Sequence, residues 1–375
     1  MVKIGVIGGG QLARMMIPAA INLGVDLAVF AEAEGSSASL AVTHVGDYRD
    51  LGELQKFAAS VDALTFDHEH VPTGHLASLR DQGIRVYPPP EALSLTHDKI
   101  FMRGALQRIG APQPRWSVTS SEHDRENALA KVGGFPCIAK VPVGGYDGKG
   151  VRVVSDWSDF GDWLDLGPVL LEEKVDFVRE LAQLVARRPG GELKSWSVVE
   201  TRQRDGVCSE VIAPAPGLSP SGATRSQRIA ADIAEGVGVV GVLAVELFET
   251  RDGSILVNEL AMRPHNSGHI FTELSRTSQF EQHLRAVADL PLGDTTFISD
   301  SGVMANIFGE VNVARASQTL TDFPQVKIHS YQKPARPGRK AGHLCVVGDD
   351  PDWLLGVVIQ ARAILDSPGY DGEHE

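Results

Sequence analysis

Cysteine is scarce: Cys137, Cys208 and Cys345 are the only three in 375 residues. They are far apart and odd in number, so neither a disulfide framework nor a zinc site is indicated, and each reads as a packed thiol. Positive charge is in deficit, with 35 Lys and Arg against 48 Asp and Glu and a net charge of −13. That balance argues against generic nucleic-acid binding but leaves room for a local basic pocket. Long apolar runs are missing too, since the longest, Gly236–Val245, is too short to span a bilayer. No basic–apolar–small-residue leader precedes the first strand-like segment, so a cytoplasmic location is expected. Repeats and low-complexity segments are also absent. With 43% hydrophobic and 22% charged residues, the chain has enough apolar material for two or three domains.

Glycine, by contrast, is concentrated. Gly144, Gly145, Gly148 and Gly150 fall within seven residues, with Tyr146, Asp147 and Lys149 among them. The loop joins two strand-like runs, Cys137–Val141 and Val151–Val154. So glycine-rich a hairpin is either a tight flexible turn or a lid whose N–H groups approach an anion. Lys140, a lone charge in an apolar strand, needs a partner, and a bound phosphate is a natural one.

The chain opens as a βαβ unit: strand Val2–Ile7, helix Gln11–Leu23 and strand Val25–Phe30, with Gly8-Gly9-Gly10-Gln11-Leu12-Ala13 at the first turn and Glu32 about 20 residues on. This pattern suits a dinucleotide, or any phosphate at a helix N-terminus. Strands at Ala63–Phe66 and Arg85–Tyr87 follow. At the end of the first, His68 and His70 point away from Glu69 in extended chain, which disfavours a shared metal. Glu69 is better suited to accept a hydrogen bond from a substrate amine or hydroxyl. Pro88-Pro89-Pro90 closes this unit. Ala92–Ile109 reads as one helix with Lys99 and Arg103 on a common face, either solvated or aimed at a site.

The strand Pro168–Leu171 runs into Glu172-Glu173-Lys174-Val175. There, backbone groups could read an adenine edge while Val175 covers its face, and Glu180 could take ribose hydroxyls. Two strands, Val242–Phe248 and Ile255–Leu260, are joined by Arg251-Asp252-Gly253-Ser254. Their hairpin brings Glu246 near Asn258 and Glu259, each inside an apolar run. Buried like charges repel unless a cation lies between them, and hard oxygens suit Mg²⁺; an acid paired with lysine is the alternative. The loop beyond carries Arg263, which could neutralise a transferring phosphoryl group, and His265 and Asn266, which could hold an acceptor. His265 and His269 lack a third ligand, so zinc is disfavoured. Lys333, Arg336, Arg339 and Lys340 put four cations in eight residues, either a solvated turn or a pocket for a phosphomonoester.

Together Gly8–Leu12, Gly144–Gly150, Asn258–Leu260, Arg263–His269 and Arg336–His343 resemble the ATP-grasp carboxylate–amine ligases over nearly the whole chain. The match is closest to the N5-carboxyaminoimidazole ribonucleotide synthetase family, ATP-dependent carboxylases of purine biosynthesis. The resemblance implies an α/β and α+β fold. Its parts would be an N-terminal Rossmann-like preATP-grasp domain (1–95), an ATP-grasp domain (96–298, lid about 114–175) and a small C-terminal β-rich domain (299–375). It implies ATP, bicarbonate and 5-aminoimidazole ribonucleotide as substrates, Mg²⁺ as cofactor, and a homodimer.

By the same resemblance, Lys99 and Lys140 would contact the ATP phosphates, Glu172, Glu173, Lys174 and Val175 the adenine, and Glu180 the ribose. Gly145, Gly148, Gly150 and Val151 belong to the lid over the nucleotide. Glu246 and Glu259 would hold Mg²⁺, with Asn258 beside them. Gln11, Glu69, Tyr146, Asp147 and Lys149 would face the ribonucleotide, with Lys333, Arg336, Arg339 and Lys340 around its phosphate. Lys149, Arg263, His265 and Asn266 would serve catalysis. Two positions depart from the family: Lys149 stands where relatives often have arginine, and Gln203 where many have a histidine contacting ATP. A formate-dependent glycinamide ribonucleotide transformylase, an NAD-dependent oxidoreductase using Gly8–Ala13 and Glu32, and a non-catalytic nucleotide-binding protein remain as alternatives.

Overall fold

Three sheets carry the chain in a computed structural model that describes residues 2–144 and 150–366. The first is parallel, in the spatial order Val42–Val45, Asp26–Ala31, Lys3–Ile7, Ala63–Phe66, Arg85–Val86. Its central strands are buried on both faces, Ile4, Val6, Val29 and Leu64 being fully enclosed, which is why they read as continuous apolar runs. Lys3–Ile7 lies between Asp26–Ala31 and Ala63–Phe66. The strand order reverses there, so Gly8–Gly10 and Asp67–His70 meet at the crevice beyond the strand ends. Helix Gln11–Leu23 ends on Gly24 in the left-handed region.

The single helix expected over Ala92–Ile109 is two, Pro90–His97 and Lys99–Ile109. Asp98 between them is extended, and its carboxylate accepts from the N–H groups of Ile100 and Phe101 at 2.8 and 3.1 Å. An N-cap side chain stabilises a new helix start at the cost of continuity. Lys99 is therefore the first residue of a helix rather than a mid-helix one.

The second sheet is antiparallel, in the order Trp116–Thr119, Val169–Glu173, Cys137–Lys140, Val151–Val154. Its apolar face packs Ala139, Val154 and Leu171 against Leu129 and Val132 of the helix Arg125–Val132. The strand expected to stop at Leu171 runs on to Glu173.

Nine antiparallel strands form the third sheet. Its main path runs Ile255–Ala261, Gly241–Thr250, Phe177–Arg187, Val199–Arg204, Val207–Ala213, Ser301–Gly309, Arg336–Gly348 and Lys327–Ser330, with Leu193–Ser195 paired to Phe177–Arg187. The C-terminal strands thus continue the sheet that carries Glu246 and Glu259. The basic segment expected as a turn is the start of the strand Arg336–Gly348, whose register to Ser301–Gly309 shifts on both sides of Phe308. Such irregularities re-aim side chains at a strand end.

Candidate active site

The hairpin Gly241–Thr250/Ile255–Ala261 is not regular. Val245 pairs with Leu260 and Leu247 with Val257, so Glu246 alone faces both Asn258 and Glu259. In a regular strand these neighbours would point to opposite faces, whereas a bulge of two residues against one lets both reach the same side. All three line a cavity of about 570 Å³. The Glu246 and Glu259 side chains keep 33% and 38% of their exposure there, so both carboxylates open to the cavity. Glu246 accepts from His265 Nε2 at 3.2 Å. Burial alone would raise its pKa, but His265 and the charges of Lys340 and Lys140 hold the carboxyl below its ordinary value.

Behind the carboxylates lies a buried charge network. Arg103 is fully enclosed and its Nε donates to Glu172 Oε1 at 2.6 Å; Lys140 Nζ reaches Glu172 Oε2 at 2.9 Å. Lys140 is also 3.3 Å from Asn258 Oδ1 and 3.9 Å from Glu259 Oε1, while Lys99 is 3.7 Å from the same oxygen. Burial would push the Glu172 carboxyl up, but Arg103 and Lys140 outweigh it and keep it low. Lys140 thus has a partner within the protein, Glu172, in addition to any phosphate it meets. The Glu172 carboxylate, only 3% exposed, is occupied by those two cations.

Glu173, Lys174, Val175, Glu180 and Gln203 line the cavity with Ile138, Val151 and Phe248. Glu173 is tied to Arg115 at 2.6 Å, and Phe177 stacks on Phe248 with ring centroids 4.5 Å apart. Glu180 is bonded by Gln203; burial and the nearby Glu246 raise its pKa against that bond. Gln203 therefore stands on the cavity wall, where the family departure was expected. Gly150 accepts from the Val141 N–H at 2.9 Å, closing the base of the glycine-rich loop.

A second cavity of about 620 Å³ is lined by Gln11, Arg263, Lys333, Arg336, Arg339 and Lys340, among others. Lys333 donates to Gln11 across it. His265, Asn266 and Lys340 line both cavities and form their common wall. Arg263, considered for the transferring phosphoryl group, belongs to the second cavity and pairs with Glu69 at 2.7 Å. Burial would raise the Glu69 carboxyl, but Arg263 holds it below its ordinary value.

The turn read as a dinucleotide fingerprint is closed by the protein's own acids. Asp67 Oδ1 accepts from the Ala13 N–H at 2.7 Å, at the helix N-terminus where a pyrophosphate would lie. A Cβ at Gly10 would come within 2.0 Å of Asp67 Oδ2. Glu32 Oε2 accepts from the Gly9 N–H and Oε1 bonds His68 at 2.9 Å, so the acid of the dinucleotide pattern braces the turn instead. The oxidoreductase alternative loses both of its contacts. The His68 and His70 rings stack at 5.3 Å rather than flanking a metal position.

Gly145, Tyr146, Asp147, Gly148 and Lys149 lie outside the described residues, as does the chain after Asp366. Nothing in the sequence marks Asp67 as an acid that accepts from the helix N-terminus, or Arg103 as more than one of a pair sharing a helix face. The only signal for Arg103 is its i, i+4 spacing from Lys99, and nothing local marks Lys99 as the one near Glu259 and Arg103 as the enclosed one.

Three family models match the chain: an ATP-grasp domain at residues 104–280, a ribonucleotide synthetase preATP-grasp domain at 1–97, and a phosphoribosylaminoimidazole carboxylase C-terminal domain at 302–355. The N5-carboxyaminoimidazole ribonucleotide synthase of Mycobacterium bovis is 46% identical over 360 residues, covering 92% of this chain and 84% of that one. An ADP complex of an N5-carboxyaminoimidazole ribonucleotide synthetase superposes with a TM-score of 0.90 at 32% identity over 97% of both chains. The Aspergillus clavatus N5-carboxyaminoimidazole synthase, in complex with ADP and 5-aminoimidazole ribonucleotide, superposes at 0.88 with 28% identity over 97% of this chain and 98% of that one.

Proposed function

The chain belongs to the N5-carboxyaminoimidazole ribonucleotide synthase family of ATP-grasp ligases, and on that premise we propose how its two cavities divide the reaction. The activity is the ATP- and bicarbonate-dependent carboxylation of 5-aminoimidazole ribonucleotide to N5-carboxyaminoimidazole ribonucleotide. ADP and phosphate are released, the activated species is carboxyphosphate, and the step belongs to de novo purine biosynthesis. The observation that carries the division is the common wall: a nucleotide-sized cavity ending in carboxylates and lysines abuts a cation-lined one across His265, Asn266 and Lys340.

ATP takes the first cavity. Its adenine lies against Glu173–Val175 with Ile138, Val151 and Phe248 at its faces, its ribose meets Glu180 and Gln203, and its phosphates point toward Lys99 and Lys140. The ribonucleotide takes the second, its phosphomonoester held by Lys333, Arg336, Arg339 and Lys340, its imidazole directed at His265 and Asn266. Bicarbonate attacks the γ-phosphorus and ADP leaves. The ribonucleotide amine then forms the new C–N bond with the activated carboxyl carbon, or with CO₂ released from it, and phosphate departs. Lys99 and Lys140 neutralise charge on the transferring group, a contribution of about 10²–10³ in rate for a well-aimed donor. Arg263, anchored on Glu69, adds positive charge on the acceptor side. Tyr146, Asp147 and Lys149 of the glycine-rich loop are proposed to face the ribonucleotide.

The donors at the bulge suit Mg²⁺: two partly open carboxylates and an amide oxygen, all hard ligands, on one side of one cavity. Glu246, Glu259 and Asn258 would hold it, and when bound it supplies positive charge to the phosphate oxygens.

No described helix is long and apolar enough to cross a membrane. A cytoplasmic homodimer is proposed from the family resemblance, with sedimentation velocity as its check. The functional reading itself is tested by an ADP-coupled assay. ADP formation is expected only with both bicarbonate and 5-aminoimidazole ribonucleotide, and is expected to fall at least about 10²-fold in Glu259→Gln. Full activity in that variant, or formate with glycinamide ribonucleotide replacing the pair, would sink it.

A further inference from the structure

Arg103 makes four hydrogen bonds from inside the protein. Nε donates to Glu172 Oε1 at 2.6 Å, Nη1 to the Val257 carbonyl at 2.9 Å and to Gln113 Oε1 at 3.4 Å, and Nη2 to the Asn258 carbonyl at 2.9 Å. Val257 is the paired residue at the edge of the bulge and Asn258 the first residue within it, and Glu172 is the residue that holds Lys140. Arg103 itself rides on the helix Lys99–Ile109, whose first residue is Lys99. One guanidinium thereby joins a helix, a strand of the four-stranded sheet and a strand of the nine-stranded sheet. Near these contacts stand three polar groups: Lys99, which starts the helix, Lys140, held by Glu172 from the neighbouring strand Cys137–Lys140, and Glu259, whose Oε1 lies 3.7 and 3.9 Å from the two lysines.

We propose that Arg103 is a positioning residue for nucleotide phosphates, fixing Lys140 through Glu172 and fixing the Asn258–Glu259 bulge through the two carbonyls, without touching ATP. The proposal rests on the assignment of Lys140 to the phosphates made above. The physical basis is the planar fork. Four acceptors lie in different directions around a fully buried site, and a guanidinium reaches all of them while staying charged. A lysine ammonium keeps the charge but lacks the fork, so it leaves at least one buried acceptor unpaired. Glu172 in turn has one oxygen for each cation. Loss of either oxygen's charge frees the Lys140 side chain to shift within the cavity. The effect must appear where Lys140 acts, at the β- and γ-phosphates, and not at the adenine.

Isothermal titration of AMP, ADP and ATP into the intact chain tests this, on wild type, Arg103→Lys, Glu172→Gln, Lys140→Gln and the double variant Lys140→Gln/Glu172→Gln. The fitted stoichiometry reports the folded fraction, so the Kd of the remaining sites is readable even where a variant folds poorly. Arg103→Lys and Glu172→Gln are expected to weaken ADP and ATP about tenfold, the scale of one charge-assisted hydrogen bond, while AMP binds as in wild type. The double variant is expected to bind ADP no more weakly than Lys140→Gln alone, because Glu172 acts through Lys140. Equal losses for AMP and ATP in Arg103→Lys would mean a merely structural residue and overturn the proposal, as would additive losses in the double variant. Unchanged ADP affinity in Lys140→Gln would overturn the phosphate assignment and the proposal with it. Because that variant alone would then be silent, the two failures are distinguishable.

Discussion

His265 Nε2 lies 3.2 Å from Glu246 Oε1, a contact at the wall common to the two cavities. The other ring nitrogen, Nδ1, is 2.8 Å from Ser267 Oγ, so the imidazole is held from both sides. A side chain that touches a phosphate-end carboxylate and also faces the acceptor cavity can couple the two half-reactions. In His265→Asn, ATP cleavage is expected to continue at a reduced rate while less of the carboxyl reaches the amine. ADP and carboxylated ribonucleotide, equal in wild type, would then be formed in a ratio above one, and measuring both in one reaction decides it.

Divalent-cation dependence follows from the bulge. Chelation with EDTA is expected to stop ADP formation and added Mg²⁺ to restore it. Glu246→Gln should raise the Mg²⁺ concentration for half-activity about tenfold, since one charged ligand oxygen becomes a neutral amide. An unaltered Mg²⁺ titration in that variant would remove Glu246 from the ligand set.

The two cavities also separate by Michaelis constants. Lys333→Ala or Arg336→Ala is expected to raise KM for the ribonucleotide about tenfold, the scale of one charge-assisted phosphate contact, with KM for ATP unchanged. Lys340 lines both cavities, so Lys340→Ala should raise both constants.

Gly10 has no room for a side chain. Its Cβ would sit 2.0 Å from Asp67 Oδ2, on a half-buried carboxylate that caps the first long helix. Gly10→Ala is expected to destabilise the protein by about 2 kcal/mol or more, from overpacking together with loss of the cap. Urea unfolding reads this directly, and a change below half that size would contradict the packing.

Glu32 sets a pH dependence. Its hydrogen bond to His68 is the main cause that lowers its pKa from 4.5 to about 2, against the opposing effect of burial. A depressed carboxyl stabilises the folded chain above the unfolded value and loses that contribution as pH falls through the folded one. The stability gap between wild type and Glu32→Gln should therefore be present at pH 7 and vanish between pH 4.5 and about 2. Because the Glu32 side chain is 45% exposed, solvent screening keeps the gap to about 1 kcal/mol or less. Urea unfolding of both proteins across that range measures it.

Local chemistry determined a good deal by itself. The helix Gln11–Leu23 and the strands Ala63–Phe66 and Val151–Val154 fall where periodicity and glycine punctuation place them, because those signals act over a few residues. The hairpin that carries Glu246 and Glu259 was legible for the same reason: two apolar runs and an Asp-Gly turn specify their own pairing. The order of the motifs sufficed to point to an ATP-grasp ligase.

Tertiary structure decided what those residues do. No local signal announces the bulge that turns Asn258 and Glu259 to one side, since it arises from how they pair opposite Glu246 on the neighbouring strand. Asp98 breaks a helix that propensity alone would have continued. Asp67 fills the anion position of a turn that, by its glycines, suited a dinucleotide, and the two are 54 residues apart. Lys140 is a lone charge in its strand, and Glu172 beside it comes from another strand, while Arg103 is enclosed only because three elements close around it. Burying a charge demands a partner, but the sequence does not say which one, because the partner comes from whichever distant segment the packing brings there.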